Sequence, residues 1–137
     1  MKIVLIACSS KKLGEKAKAG NIYSSNLFRL NLKYAKSLNA DRIFVISAKH
    51  GLLELEKEIE PYNETLNRMK IEERKAWSEK VLEKLKNVSD LEKDEIIFLA
   101  GKKYREFLIP EIKNFKVPLE GLGIGKQLKF LKEKNEQ

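Results

Sequence analysis

Three residues that could carry catalysis follow two short apolar stretches of this chain. Cys8 comes soon after residues 2–7, and Lys49 and His50 follow residues 42–46. Both stretches are rich in β-branched residues, which is typical of buried strands. A thiol is a candidate nucleophile, an imidazole is a candidate general acid or base, and an ammonium group pairs with an anionic ligand. We therefore predict Cys8, Lys49 and His50 as catalytic residues.

Each of the three also has a structural interpretation. A free cysteine is often a small buried side chain without reactivity, and a lone histidine is more often structural than catalytic. Lys49 is equally well one of the many surface lysines of this chain. The sequence contains one histidine and one cysteine, which does not favour a zinc site, and we predict no metal and no cofactor.

Small, polar and aromatic residues near the same strand ends are predicted to bind a ligand. Four loops supply them, at residues 8–12, 47–51, 101–104 and 118–126. Their hydroxyls, ammonium groups and unhindered backbone N–H groups suit an anionic or phosphate-bearing ligand. The predicted ligand-binding residues are Ser9, Ser10, Lys11, Ser47, Gly51, Tyr62, Gly101, Tyr104, Gly121, Gly123 and Gly125.

The glycines at 121, 123 and 125 suggest a phosphate-binding loop, but their spacing matches neither common motif. The GxxxxGK[ST] pattern of a P-loop is absent, and a dinucleotide fingerprint needs a following strand and an acidic residue. A tight turn that packs a helix against the sheet explains these glycines equally well.

Strands and helices alternate along the chain. Strands are predicted at residues 2–7, 42–46, 94–100 and 115–117, with longer helices at about 24–38, at about 71–85 and near the C-terminus. Right-handed crossovers between parallel strands bring all the strand-to-helix loops to one edge of the sheet, where ligands bind. We predict an α/β fold, a three-layer α/β/α sandwich around a mostly parallel sheet of about four strands, as one domain over residues 1–137.

Composition narrows the class of protein. Apolar residues make up 42% of the 137 residues and charged residues 35%, which is typical of a globular chain. The apolar runs are too short to span a membrane, no signal peptide is apparent, and one cysteine fits a reducing compartment. We therefore expect a cytoplasmic protein without membrane contact. The net charge of +8 fits nucleic acid, a phosphorylated ligand or merely a lysine-rich surface.

Four stretches resemble the peroxide-stress protein YaaA family. Residues 47–53 (Ser-Ala-Lys-His-Gly-Leu-Leu) and 59–63 (Ile-Glu-Pro-Tyr-Asn) are similar to its Leu-Ser-Ala/Gly-x-Tyr-Gly-x-Leu and Ile-x-Pro-Tyr patterns. Residues 8–11 (Cys-Ser-Ser-Lys) stand where the family has Ser-Pro-Ala-Lys, and residues 99–104 (Leu-Ala-Gly-Lys-Lys-Tyr) resemble its Leu-Ala-Ser-x-x-Tyr. Since YaaA-like proteins are associated with DNA binding and protection against oxidative damage, the resemblance implies a nucleic-acid partner.

A weaker resemblance is to the catalytic domain of archaeosine synthase, whose early Cys-Ser-x-x-Lys-Pro-Tyr motif is partly matched by residues 8–12. Both resemblances imply a nucleotide, nucleobase or nucleic-acid partner. The leading hypothesis is that the protein binds this partner at the sheet edge, with Tyr62 or Tyr104 stacking on the base. In its extended form, the protein is an enzyme that acts on a modified base or nucleoside. The alternative is a DNA-binding stress-response protein that is not an enzyme.

Overall fold

A computed structural model describes residues 1–136, in which a mostly parallel five-stranded sheet is flanked by helices. The strands are β1 (Lys2–Ala7), β2 (Ala17–Lys18), β3 (Arg42–Ser47), β4 (Gly51–Glu54), β5 (Glu58–Ile59), β6 (Glu95–Leu99) and β7 (Phe115–Lys116). The helices are α1 (Ala19–Ile22), α2 (Asn26–Ser37), α3 (Ile71–Val88), α4 (Lys102–Arg105) and α5 (Ile124–Asn135). The predicted α/β sandwich is confirmed, with one strand more than expected, whereas the single domain over residues 1–137 stays a prediction.

The main sheet has the order β4-β3-β1-β6-β7. Strand β1 pairs in parallel with β3 and β6, and β6 pairs in parallel with β7. The carboxyl ends of these four strands therefore lie at one edge of the sheet, called the carboxyl edge below. This common edge is the arrangement that the alternation of strands and helices predicts.

Strand β1 is buried on both faces because it is central. Val4 and Ile6 belong to the core that α2 and α5 cover, whereas Ile3 and Leu5 belong to the core that α3 covers. Successive side chains of a strand point to opposite faces, so an uninterrupted apolar run fills both cores at once. This burial fixes the register of the strands whose ends form the carboxyl edge.

Helix α2 begins and ends with local signals that the sequence contains. Ser25 is its N-cap, and the Ser25 hydroxyl accepts a hydrogen bond from the backbone N–H of Phe28 at 3.1 Å. Asn39, just beyond its end, has a φ of 55°, a left-handed conformation that asparagine tolerates better than most residues. The helix thus begins close to the start predicted at about residue 24.

Residues 47–51 form the turn of a hairpin, which the sequence analysis missed. Strand β4 runs antiparallel to β3, with Ser47 opposite Gly51. Gly51 has a φ of 68°, a conformation that glycine adopts without a steric penalty. The chain therefore turns back along β3 before it crosses the sheet, and the turn stays at the carboxyl edge.

The segment after this hairpin is more ordered than expected. Residues 54–63 are acidic and contain Pro61, which predicts an irregular connection. Instead, Glu58–Ile59 pairs with Ala17–Lys18 as a two-stranded antiparallel ribbon. Tyr62 follows this ribbon into the core. Within the described residues, no helix has both the length and the apolar character needed to cross a membrane.

We predict that Ser25→Ala lowers the free energy of unfolding by about 1 kcal/mol, because it removes the acceptor for an N–H at the start of α2. Urea unfolding followed by circular dichroism measures this difference. Ser37→Ala is the control, since the exposed Ser37 hydroxyl only donates to the carbonyl of Tyr34 within the same helix. Equal losses in the two variants would contradict the capping role.

Candidate functional site

Two clefts open at the carboxyl edge, and half of the predicted site residues line one or the other. The first has a volume of about 460 Å³ and lies between the ends of β1 and β6. The second has a volume of about 630 Å³ and lies between the hairpin turn and α3. Of the predicted residues, Cys8, Ser9, Gly101 and Tyr104 line the first cleft, and Lys49, His50 and Gly51 line the second.

The first cleft lies where the chain reverses its direction of travel across the sheet. From β1 the chain passes through α2 to β3 on one side, and from β6 it passes through α4 to β7 on the other. The two connections pack on opposite faces, so their starting loops diverge and leave a crevice between β1 and β6. Open α/β sheets bind their ligands at such a switch point.

Cys8 lies at the centre of the first cleft. Its Sγ is 3.5 Å from the hydroxyl of Tyr104 and accepts a hydrogen bond from the backbone N–H of Ala48 at 3.4 Å. The thiol is half-buried and free of any disulfide. Burial raises the pKa of Tyr104, so this hydroxyl stays protonated and can donate to a thiolate. The surroundings of Cys8 therefore suit a nucleophile, although its catalytic role stays a prediction.

The wall that α2 and α5 supply contains two side-chain amides, which the sequence analysis did not single out. Asn31 is 5% exposed, and its Oδ1 is buried without a hydrogen-bond partner among the described residues. Gln127 lines the same cleft and donates from Nε2 to the carbonyl of Leu122 at 2.9 Å. A polar side chain at 31, between the apolar Phe28, Leu32 and Ala35, is the sequence signal that could have found this wall.

The second cleft is bounded by Trp77 of α3 and by the hairpin turn. Trp77 is a buried core residue, and its Nε1 donates to the carbonyl of Ser47 at 2.8 Å, which joins α3 to the turn. The Nε2 of His50 is buried without a hydrogen-bond partner among the described residues. Lys49 is exposed at the surface of the turn. The two predicted catalytic residues thus lie away from the wall that carries Asn31.

A buried hydrogen-bond network fixes the turn between the two clefts. Ser47 Oγ accepts from the backbone N–H groups of Lys49 and His50, at 3.3 and 3.0 Å. These bonds occupy both lone pairs of the hydroxyl oxygen, so its proton points to the hydroxyl of Tyr62 at 2.7 Å. The hydroxyl of Tyr62 in turn lies 2.6 Å from that of Tyr23.

Burial keeps both phenols of this network neutral. It raises the pKa of Tyr23 to about 12, and it raises the pKa of Tyr62 further above its ordinary value. Lys12 lies over the Tyr62 ring, with Nζ 4.3 Å from the ring centroid, and burial lowers the pKa of this ammonium group. Lys12, rather than the predicted Lys11, is therefore the lysine of this loop that packs inward.

Two of the predicted ligand-binding residues, Ser47 and Tyr62, are buried. Ser47 is fully buried, and Tyr62 is 7% exposed with its hydroxyl inside the network. Neither residue lines either cleft, so the cleft geometry does not support their predicted contact with a ligand, and Ser47 is seen to support the turn. Tyr104 is half-buried at the first cleft and remains the candidate for stacking, with its ring edge-on to Trp77.

The remaining predicted residues lie outside both clefts. Ser10 and Lys11 are exposed, and the carbonyl of Lys11 accepts from the N–H of Ser24. The three glycines predicted as a phosphate cradle are also exposed, and Gly121 has a φ of 80°, as a tight turn requires. Their neighbours Leu119 and Gln127 line the first cleft instead, so this segment contributes side chains rather than a cradle of N–H groups.

Among residues 1–136 no cluster of three or more His, Cys, Asp or Glu side chains could hold a metal ion.

We predict that Tyr62→Phe lowers the free energy of unfolding by about 1–3 kcal/mol, because it leaves the buried Tyr23 hydroxyl without a partner and the Ser47 hydroxyl proton without an acceptor. Chemical denaturation measures the loss. Tyr34→Phe is the control, since Tyr34 is half-buried on the surface of α2 and edge-on to Phe130. A Tyr62→Phe protein as stable as the wild type would show that the network does not hold the turn.

We also predict a pH dependence that arises from His50. Burial, and then repulsion by Lys49, lower its pKa below the ordinary 6.5, so the unfolded chain binds this proton more readily than the folded chain. The contribution of His50 is fully present above pH 6.5 and is lost as the pH falls from about 6.5 towards the folded pKa. Unfolding free energies at pH 7.5 and 5.5 should therefore differ more in the wild type than in His50→Gln. Equal differences in the two proteins would contradict this assignment.

Comparisons with known proteins assign the chain to a family of unknown function. No curated protein and no solved structure matches it. The resemblances to the YaaA family and to archaeosine synthase therefore stay predictions. One family model, described as a family of unknown function, matches residues 3–133. The chain, whose carboxyl edge carries the two clefts, thus belongs to the DUF6884 family.

Proposed function

We propose that the protein binds a nucleobase, nucleoside or nucleotide in the first cleft. The observation that carries the proposal is the position of this cleft at the switch point between β1 and β6. Parallel sheets use this position for ligands because the diverging loops leave room there, while the strand ends hold the loops in place. A volume of about 460 Å³ is in the range of small-molecule sites.

The walls of the cleft suit a flat ring with polar edges. Leu27, Leu99 and Leu119 supply apolar surface, and Tyr104 supplies an aromatic ring. The amides of Asn31 and Gln127 lie on the wall made by α2 and α5 and can hydrogen-bond the edge of a base. Apolar surface with a few fixed polar groups is the usual composition of a site for a heterocycle.

Basic residues on one side of the cleft support a ligand with a phosphate group. Lys102 and Lys103 line the cleft and are exposed to solvent. Arg105 lines it too, and its NH1 donates to the carbonyl of Ala100 at 2.8 Å, which holds the guanidinium beside the end of β6. A nucleotide that places its base against the amides would direct its phosphate towards these cations.

We extend the proposal to catalysis: the protein acts on a modified base or nucleoside, and Cys8 is the nucleophile. The thiol lies in the cleft, within hydrogen-bond distance of the Ala48 N–H and the Tyr104 hydroxyl, which would hold its Sγ in place. His50 lines the other cleft, so the proposal gives it no part in this chemistry.

The alternative is a DNA-binding stress-response protein, which rests on the net charge of +8 and on the YaaA resemblance. Because Lys102 and Lys103 are exposed beside the cleft, a polyanion would use the same cations. DNA binding would weaken steeply as salt increases, whereas a mononucleotide makes few phosphate contacts and depends less on salt.

We expect isothermal titration to detect a nucleoside monophosphate that binds about tenfold more tightly than its nucleoside, since the phosphate adds charge-assisted hydrogen bonds. The double variant Lys102→Ala/Lys103→Ala should reduce nucleotide affinity to the nucleoside level. Lys129→Ala/Lys132→Ala is the matched control, because both residues are exposed lysines of α5 that do not line either cleft.

Alkylation provides an independent readout, since Cys8 is the only cysteine of the chain. A bound nucleotide should slow its reaction with iodoacetamide, followed by intact-protein mass spectrometry. Absence of binding by every common nucleoside and nucleotide, with unchanged alkylation, would refute the proposal. Salt-sensitive binding of DNA without binding of mononucleotides would favour the alternative.

A further inference from the structure

The first cleft carries positive charge that no acid offsets. Lys102, Lys103 and Arg105 line it, and no aspartate or glutamate among the described residues does. None of these three cations forms an ion pair within the described part of the chain. Glu106, the acid next to Arg105 in the sequence, pairs with Arg74 of α3 instead. The charge of this cleft is therefore available to a ligand.

The second cleft shows that a lysine-rich surface does not by itself produce this imbalance. It too is lined by three lysines, at positions 49, 80 and 84, but Glu73 and Glu83 lie among them. Two of its three lysine charges are thus offset by carboxylates that line the same space. The first cleft differs from the second by its lack of acids, which makes its net positive charge a property of that site.

The three cations of the first cleft exceed what a single phosphate group can neutralise. A phosphate monoester carries about 1.5 to 2 negative charges at pH 7, so part of the positive charge stays unmatched. A second phosphate group adds negative charge and further oxygens that accept hydrogen bonds from ammonium and guanidinium groups. The charge of the cleft therefore suits a diphosphate better than a monophosphate.

The same lining is unsuited to a magnesium ion. At phosphate sites Mg²⁺ is usually held by one or two carboxylates together with the phosphates, and no carboxylate of the described residues lines this cleft. A magnesium ion on the diphosphate would also cancel the negative charge that attracts Lys102, Lys103 and Arg105, and the three cations would repel it. The cleft therefore favours the metal-free form of the ligand.

We infer that the first cleft selects a nucleoside diphosphate in its metal-free form, with Lys102, Lys103 and Arg105 neutralising the phosphates in place of a magnesium ion. The inference rests on the proposed function, because it names the phosphate class of the ligand in that same cleft. It does not depend on which base is bound or on whether Cys8 is a nucleophile.

Isothermal titration of matched nucleotides tests the charge preference. For adenosine, guanosine, cytidine and uridine, the 5′-diphosphate is compared with the 5′-monophosphate in a buffer that contains EDTA. In each series that binds, the diphosphate should bind about three- to tenfold more tightly than the monophosphate, as expected for one additional contact with partly exposed cations.

Magnesium provides a second measurement. Addition of MgCl₂, compared with NaCl at the same ionic strength, should reduce the affinity of the diphosphate to that of the monophosphate or lower, because Mg²⁺ occupies the phosphate oxygens and cancels their charge. The affinity of the monophosphate should change little, since one phosphate group holds Mg²⁺ more weakly than two do. A site that required magnesium would instead bind the diphosphate more tightly when MgCl₂ is added.

The variant Asn67→Asp adds the acid that the first cleft lacks, with almost no change in side-chain size. Asn67 is exposed, lines the first cleft and lies in the short 3₁₀ helix Leu66–Arg68, which packs against α4. We expect Asn67→Asp to lose most of the preference for the diphosphate in EDTA and to be less sensitive to magnesium. Asn87→Asp is the matched control, because it places the same charge at an exposed position in the second cleft. It should behave as the wild type does.

The outcomes that would overturn the inference are distinguishable from failure of the proposed function. If every series binds its diphosphate and monophosphate equally, or if magnesium tightens binding of the diphosphate, the inference is wrong while the proposed function stands. If Asn67→Asp behaves like Asn87→Asp, the charge of the cleft does not set the preference and the inference is again wrong. If no nucleoside or nucleotide binds, the proposed function fails and the inference fails with it.

Discussion

The parallel pairing of β1 with β3 on one side and with β6 on the other is the constraint on which the rest of the structure depends. The two pairings extend along β1 from Ile3 to Ile6 and leave the central strand no freedom to slip, because a shift by one residue would exchange the side chains of the two cores. The carboxyl ends of all three strands are thereby held side by side. Every candidate functional residue is placed relative to this edge.

The turn after β3 is held more firmly than a surface loop usually is. Ser47 receives two backbone N–H groups, gives its proton to Tyr62, and has its carbonyl bound by Trp77 from α3. Elements from both faces of the sheet thus meet at one buried residue. The wall between the two clefts is rigid for this reason, and the Ala48 N–H keeps its position on the Cys8 thiol.

Stability and function make opposite demands at the first cleft. The core beneath it is apolar and its buried hydroxyls are paired, whereas the Asn31 oxygen is buried and unpaired. A local departure from good packing that brings no structural gain is expected at sites where a ligand completes the arrangement. The switch point, the half-buried thiol and the unpaired amide coincide in one crevice, which is why the first cleft is the stronger candidate of the two.

The sequence by itself determined the four parallel strands, their alternation with helices and the common edge, because apolar runs and capping residues are local signals. It also indicated Cys8, Gly101 and Tyr104 near the strand ends, where they line the first cleft. Only the tertiary structure decided which loops face each other. The hairpin turned Lys49 and His50 towards α3, and the fold buried Ser47 and Tyr62 outside both clefts. Asn31 and Gln127 lie on helices far apart in the chain, and only the packing of α2 against α5 brings them to one wall. Such pairings depend on contacts between distant segments, which no local pattern of residues records.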